Sequence, residues 1–377
     1  MNRFEPTTRT CSLKRPTGRE PSRLSTSVLV VRHGPGRGRL TGYCDHVLDW
    51  LGAERPDLAR RIRLHETGTG PAPLDDVCAV FFWLADPLLN YPDCYEQAIA
   101  IQEEAERRSL PVINRPTILA TYGKGFQAKR FLEADIPAPH AISVDSPSDL
   151  AGCVDRMGLP LLVRGAQSFS GQGAVIVRSR RQIDSLKPED LPKRPIVTAF
   201  VDVRGPQAGY PAGDLWSRYY HRKRVLLIGD QCVPDSLYLG KDPLVQQSTS
   251  LFTEYHSWQV RLRPYGWIGR KALRVVRRRL DIPRAVALEA AFTEAPVDAE
   301  DLLRKAGSAL GLEFLALDYA SLPGGKIVIW EANPYPHIPS TRANILPRTR
   351  NSQAKVGNIH LAFARCFESL LVSAPHP

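Results

Sequence analysis

The stretch FLALDYASLPGGKIVIWEANPYP, residues 314–336, constrains this chain more than any other. Apolar runs flank Pro323-Gly324-Gly325, so the stretch reads as a strand, a tight turn and a second strand. A turn centred on Gly324-Gly325 sets Asp318 directly opposite Glu331. Asn333, two residues on, shares the face of Glu331 because side chains alternate along a strand. Directly opposed residues have Cβ atoms about 5 Å apart, so two carboxylates placed there repel. A divalent cation between them turns that repulsion into a binding site. Two carboxylates and an amide oxygen make a hard, all-oxygen ligand set that suits Mg²⁺ held together with phosphates. The plain alternative is a pair of acids on a solvated hairpin face.

At 377 residues the chain has room for two or three domains with real cores. It contains no run of 18 apolar residues, so no transmembrane helix is expected. Its seven cysteines are scattered without a CxxC pair, which fits neither a disulfide framework nor a zinc site and points to a reducing, cytoplasmic setting. The net charge of +11 is unevenly placed. Residues 1–27 carry six basic and two acidic groups and read as a disordered basic tail. Residues 261–284 carry nine basic groups against Asp281 alone. The rest is close to neutral, so the body of the protein is no general polyanion binder, and nucleic acid is not an expected partner.

Order begins at Val28–Val31, followed by glycines at 34, 36 and 38. A helix over Tyr43–Leu51, a strand over Val77–Leu84, a helix over Tyr95–Arg108 and a strand over Leu110–Ile113 make residues 28–115 a parallel α/β layer. A second unit, 116–195, starts with a helix over Lys124–Ala134. It continues through His140–Val144, the helix Ser148–Met157 capped by Ser148 or Ser146, Leu161–Arg164, Ala174–Arg178 and the segment Arg181–Leu186. A third unit, 196–370, opens with the strand Ile196–Val203. It holds the hairpin Arg224–Ile228/Gln231–Pro234 across Gly229-Asp230, a basic insertion near 242–290, a helix Asp298–Leu310 capped by Asp298 or by Pro296 nearby, and the acid-bearing hairpin. The class is therefore α/β, passing to α+β in the C-terminal half.

In LPLLVRGAQSFSGQGAVIVRS a strand ends at Arg164 and a loop of small residues (Ser168, Ser170, Gly171, Gly173) leads to another strand. Small residues let backbone N–H groups approach phosphate oxygens closely. Because it joins strand to strand, the loop is neither a Walker nor a Rossmann fingerprint. Four segments together resemble the ATP-grasp superfamily, which includes D-alanine–D-alanine ligases and the ribosomal-protein glutamate ligases. They are KGFQAKRFLEADIPAPH, the glycine loop with its strands, KRVLLIGDQCVP and LDYASLPGGKIVIWEANPYP, in that order between about Asn114 and Pro339.

The resemblance implies an ATP-grasp fold behind an N-terminal pre-grasp domain, with ATP and Mg²⁺ (or Mn²⁺) as cofactors. By that resemblance Lys124 and Arg164 contact phosphates, and Ser168, Ser170, Gly171 and Gly173 form a flap over them. Thr198, Ala199, Phe200 and Val201 form the hinge that presents backbone to adenine, Asp202 reaches the ribose, and Trp330 lies against adenine or in the core. Arg224 stabilises the transferred phosphoryl group, and Asp318, Glu331 and Asn333 hold the metal. Two positions depart from the pattern: Arg164 replaces a lysine, and Ala199 stands where the hinge is often acidic.

The activity implied is ATP-dependent ligation, in which a carboxylate is activated as an acyl phosphate and captured by an amine or thiol. Lys124, Arg164, Arg224 and Mg²⁺ supply the charge neutralisation that phosphoryl transfer requires. The substrates expected are small-molecule or peptide carboxylates and amines, with a homodimer as the assembly in view. Loss of Asp318 or Glu331 is expected to abolish Mg²⁺-dependent turnover while sparing the fold, since it relieves a repulsion that only metal offsets.

Arg342 either pairs with a substrate carboxylate or is a surface arginine. The helix expected over Trp267–Ile282 either docks an anionic partner or is a solvated basic face. Rival activities are a phosphotransferase, a catalytically weakened nucleotide-binding protein, and a histidine phosphatase built on Arg32-His33-Gly34.

Overall fold

The computed structural model describes residues 26–34, 42–84, 91–166, 173–206, 215–279, 281–336, 338 and 349–373. The N-terminal tail, Ser168, Ser170, Gly171 and Arg342 lie outside the described residues.

Three four-stranded sheets organise the described residues. The first is parallel, in the order β2-β1-β3-β4, from β1 Ser27–Arg32, β2 Ile62–Glu66, β3 Val77–Trp83 and β4 Val112–Ile113. β3 is buried at every position and β1 at all but Arg32, as befits strands covered on both faces. Sequence reading missed β2, whose residues Ile-Arg-Leu-His-Glu form an edge strand without an apolar run. The helix Pro92–Arg107, opened by proline at its first turn, buries Tyr95, Ala98, Ile101 and Ala105 against this sheet.

The second sheet is antiparallel, in the order β5-β8-β6-β7, from β5 Ala141–Ser143, β6 Leu161–Gly165, β7 Val175–Val177 and β8 Pro195–Ala199. β8 lies inside this sheet, so the chain leaves it after Ala199 rather than at 195. A core of its own, with Leu150, Cys153, Leu161, Val163, Ile183 and Val197, fills the space under the helix Asp149–Met157. Neither serine expected to cap that helix does so. Asp149 instead accepts hydrogen bonds from the amides of Asp145 and Ser146 and from the Ser146 hydroxyl.

The third sheet, antiparallel in the order β10-β9-β11-β12, contains β9 Tyr220–Ile228, β10 Gln231–Gly240, β11 Phe314–Ser321 and β12 Ile327–Asn333. The β9–β10 turn falls at Gly229-Asp230 as read, with Gly229 at φ +62°. Both strands run longer than the apolar pattern marks, because Arg222, Lys223 and Arg224 sit within β9 as strand residues. Asp298 does not cap the following helix, Glu300–Leu310. Its carboxylate pairs with Lys223 and accepts from the Tyr319 hydroxyl at 2.7 Å. The basic segment forms the helices Leu251–Leu262 and Gly266–Arg279, and a third, Ile282–Glu294, follows Asp281 at φ +53°.

The first and third sheets share their cores. One cluster joins Leu29, Val31 and Phe82 to Val225, Leu227, Leu315 and Leu317. On the opposite faces a second joins Val28, Val30 and Phe81 to Leu226, Ile228, Phe314 and residues of the C-terminal helix Thr349–Val372. Asn114 clamps the two sheets where β4 ends. It is buried at φ +53°, a conformation asparagine tolerates better than most residues. Its Oδ1 accepts from the amides of Glu313 and Phe314 at 3.1 and 2.9 Å, and its Nδ2 donates to the Phe314 carbonyl at 2.5 Å. Among the described residues no helix is long and apolar enough to cross a membrane.

Asn114→Ala leaves these buried backbone groups unsatisfied and places alanine at positive φ. The variant is expected to lose about 3 kcal/mol of stability, measurable by urea unfolding.

Candidate nucleotide and metal site

The site is a row of charges running across the third sheet. Arg224 on β9, Asp318 on β11 and Glu331 on β12 stand directly opposite one another in the strand register. The opposition of the two acids is thus as the sequence implies, but the route to it differs. Below the acids Tyr319 pairs with Ile329, Ala320 with Val328 and Ser321 with Ile327, one residue out of step with the Asp318–Glu331 pair. Trp330 is the extra residue of a β-bulge that restores the step.

The two carboxylates do not face each other uncompensated. Arg224 clasps Asp318 with two hydrogen bonds, Nε to Oδ1 at 2.7 Å and Nη2 to Oδ2 at 2.8 Å. Arg222, on the same face two residues earlier, adds Nη1 to Oδ2 at 3.3 Å. Asp318 is buried, and burial by itself would raise its carboxyl. The charges of Arg222 and Arg224 outweigh that and hold it below the ordinary carboxylate range. Burial likewise works against the Arg224 cation, while Asp318 raises its pKa above the usual arginine value.

Glu331 is held from the other side. Lys124 Nζ, at the start of the helix Lys124–Glu133, is 3.1 Å from Oε1, and Arg164 Nη1, near the end of β6, is 3.3 Å from Oε2. Arg164 Nη2 also donates to the Trp330 carbonyl at 3.3 Å. The amide of Lys124 donates to the Ala166 carbonyl at 3.2 Å, tying that helix to the second sheet. Four cations and two carboxylates therefore meet where the second and third sheets approach.

These contacts correct one expectation. Asp318 is bracketed by two half-buried arginines, so metal is not the only group that offsets the paired acids, and loss of Asp318 would strand those cations.

Sequence reasoning missed three members of the site. Arg222 carried a signal, since period two places it on the face of Arg224. Gln127 did too, one helical turn after Lys124; its Oε1 accepts from the Ala332 amide at 2.9 Å. Asp235 carried none. It occupies a bulge in β10 between Pro234, paired with Val225, and Ser236, paired with Arg224, and is bound to Lys355 at 2.7 Å. Burial raises its carboxyl, and the charges of Lys355 and Arg224 bring it below the ordinary value.

Among the described residues, Arg164 Nε, Arg222 Nε and Gln127 Nε2 are buried donors without a protein acceptor. An oxygen-rich anion such as a phosphate supplies what they lack. For a metal, no group of three or more His, Cys, Asp or Glu side chains is gathered among the described residues. The donors present are Asp318, Glu331 and Asn333, whose Oδ1 accepts from the Tyr335 amide at 2.9 Å. A carboxylate has about four lone-pair sites, so each acid can keep a cation and still bind an ion. That set fits Mg²⁺ only when phosphate oxygens or water complete the shell.

Other expected residues fall into three groups. Phe200, Val201 and Trp330 meet in one apolar cluster with Val203, Tyr220, Tyr238, Ala320 and Val328, bringing hinge and hairpin together. The amides of Ala199 and Phe200 are already donated to the His140 and Pro160 carbonyls, at 3.3 and 3.1 Å, so they are not free for adenine. Thr198 is buried, its hydroxyl 3.5 Å from the Leu162 carbonyl. Asp202 is exposed and gripped by Arg204 at 2.7 and 3.0 Å. Gly173 lies at φ +67° where the chain re-enters β7. His33 is buried against the rings of Tyr91 and Tyr95, the setting of a packed side chain rather than an accessible phosphatase nucleophile.

No protein-family model and no curated protein matches the sequence. The structure does match solved ones. The ATP-grasp ligase PsnB, complexed with precursor peptide PsnA2 and AMPPNP, is similar at TM-score 0.50 and 12% identity over 94% of this chain and 100% of that one. The macrocyclase MdnC, bound with precursor peptide MdnA from Microcystis aeruginosa MRC, is similar at TM-score 0.50 and 11% identity over 91% and 100%. The chain has the ATP-grasp fold, with its mixed parallel and antiparallel sheets.

Asp318→Asn is expected to lower stability at pH 7 by about 3 kcal/mol by leaving two half-buried arginines short of a counter-charge. Because the folded-state pKa of Asp318 lies below its unfolded value of about 3.9, its contribution is complete above roughly pH 4. It is lost as pH falls further. Urea unfolding should therefore show the gap between wild type and variant closing below that pH.

Proposed function

We propose that the protein is an ATP- and Mg²⁺-dependent ligase that activates a carboxylate as an acyl phosphate and passes the acyl group to an amine. The observation that carries this reading is the surplus of buried cationic donors around two metal-capable carboxylates, on a fold whose matched structures are an ATP-grasp ligase and a macrocyclase. In it a substrate carboxylate oxygen bonds to the γ-phosphorus as the bond to ADP breaks. The amine then attacks the acyl carbon, phosphate leaves, and the amine gives up a proton.

Each residue has a task in that sequence. Lys124 and Arg164 hold the phosphates and release Glu331 when they do so. Arg224, oriented by its bidentate bond to Asp318, faces the group in transfer and offsets its charge. Arg222 and Gln127 offer their unpartnered N–H groups to further oxygens. Asp318, Glu331 and Asn333 would hold Mg²⁺, which neutralises phosphate charge when bound. The cluster of Phe200, Val201 and Trp330 provides an apolar wall for adenine, while the hydrogen-bonding groups for its edge come from beyond the spent amides of Ala199 and Phe200. The matched PsnB and MdnC structures carry precursor peptides, so a peptide is the carboxylate substrate we favour.

The test is ADP release measured against pooled amino acids, peptides and hydroxy acids, with hydroxylamine added to trap acyl phosphate as hydroxamate. Carboxylate-dependent release with hydroxamate is expected, and Lys124→Ala should lower turnover by about 100-fold. Tight ATP binding without carboxylate-dependent ADP release would sink the ligase reading. Phosphate appearing on a hydroxyl substrate would identify a phosphotransferase instead.

A further inference from the structure

The outer corner formed by the helices Leu251–Leu262 and Gly266–Arg279 belongs to none of the machinery above. Three consecutive large side chains there are mostly in solvent: Tyr265 is 66% exposed, Trp267 62% and Ile268 68%. Val275 at 52% and Trp258 at 38% join them. The inward face of the second helix is already used: Gly269 is buried, and Val276 packs against the cluster of Leu215, Tyr219, Leu239 and Leu251. Ile268 and Val275, seven residues apart, line one outward stripe. Trp267, Lys271 and Arg274 line the next, with Lys271 Nζ 4.1 Å from the Trp267 ring centre.

Arg261, Arg263, Arg270, Lys271 and Arg274 are all exposed around these apolar groups. From Ser257 to Arg279 the sequence contains no acid. Asp281, the acid that follows, is turned to Arg218 at 2.6 Å and so leaves the outward charge standing.

We propose that this corner is a docking surface for an anionic phospholipid bilayer, with Tyr265, Trp267 and Ile268 entering the headgroup boundary and the surrounding cations engaging lipid phosphates and carboxylates. Aromatic side chains with a polar edge, aliphatic groups beside them and a cationic rim are what an interfacial helix offers. A nucleic acid would use the cations and stack on the aromatic rings, but it has no use for exposed Ile268 and Val275. An acidic peptide would need a groove with two walls, whereas side chains more than 60% exposed form a convex corner. The surface requires no helix that crosses the membrane, and it stands independently of the ligase reading.

The test is co-sedimentation of the full chain with phosphatidylcholine vesicles, with and without phosphatidylserine, at low and high salt. Binding is expected only with phosphatidylserine, and it should weaken with salt. Trp267→Ser combined with Ile268→Ser should lower it at least about tenfold. Arg270→Gln, Lys271→Gln and Arg274→Gln should each lower it about fivefold. Thermal unfolding should be unchanged, since these side chains lie outside the core. The proposal falls if phosphatidylserine vesicles do not bind, or if the Trp267/Ile268 variant binds as well as wild type, which would mean charge adsorption alone. It also falls if the chain passes over vesicles while binding RNA or polyglutamate in a salt-sensitive way.

Discussion

The bond between Arg224 and Asp318 governs how this site is built. It joins two neighbouring strands in register, lies in a buried setting, and uses both carboxylate oxygens. An isolated charge at that depth would be prohibitive, so the pair exists only because each member is present. Around it the charges run in a row: Lys355 with Asp235 on the β10 side, Arg222 beside Arg224, then the adjacent acids Asp318 and Glu331, and Lys124 with Arg164 beyond. Every carboxylate in the row has a cation at hand, and the cations outnumber them. The surplus is positive, and buried N–H groups of Arg164, Arg222 and Gln127 lack acceptors among the described residues. The row as a whole carries a net positive charge.

Much of this was legible in the chain because it rests on strand periodicity. The opposition of Asp318 and Glu331 follows from a turn between two apolar runs, and the two-residue turn at Gly229-Asp230 from its glycine. What escaped was set by register slips and by tertiary contact. A bulge is one residue of excess, and nothing in the local pattern around Trp330 or Asp235 marks it. Asp298 looks like a helix cap by position, yet Lys223 and Tyr319, distant in sequence, claim its carboxylate. β2 is an edge strand of alternating charged and apolar residues and so reads as a loop. The partners of Glu331 come from a helix and a strand far upstream, at Lys124 and Arg164, which no local reading reaches.

The hinge shows the same division. Thr198 and Ala199 close β8, which ends four residues short of the Val203 expected, and Phe200 and Val201 after it share an apolar cluster with Trp330. Which backbone groups the hinge keeps for a ligand is decided instead by neighbours: the His140 and Pro160 carbonyls take the amides of Ala199 and Phe200. Arg204 similarly folds back onto Asp202 and lies over Tyr220, 4.3 Å from its ring centre.

The Asn114 clamp has a mechanical consequence. With the first and third sheets sharing two cores and pinned at Glu313 and Phe314, those layers make one anvil. The second sheet has a separate core, and among the described residues Arg164 on β6 ties it to the anvil at Glu331, while the helix that carries Lys124 packs through Phe131 into the anvil's own core. The second sheet is the hammer of the pair. The ion pairs from Lys124 and Arg164 converge on Glu331, so one side chain of the third sheet sets how firmly the layers are held together there.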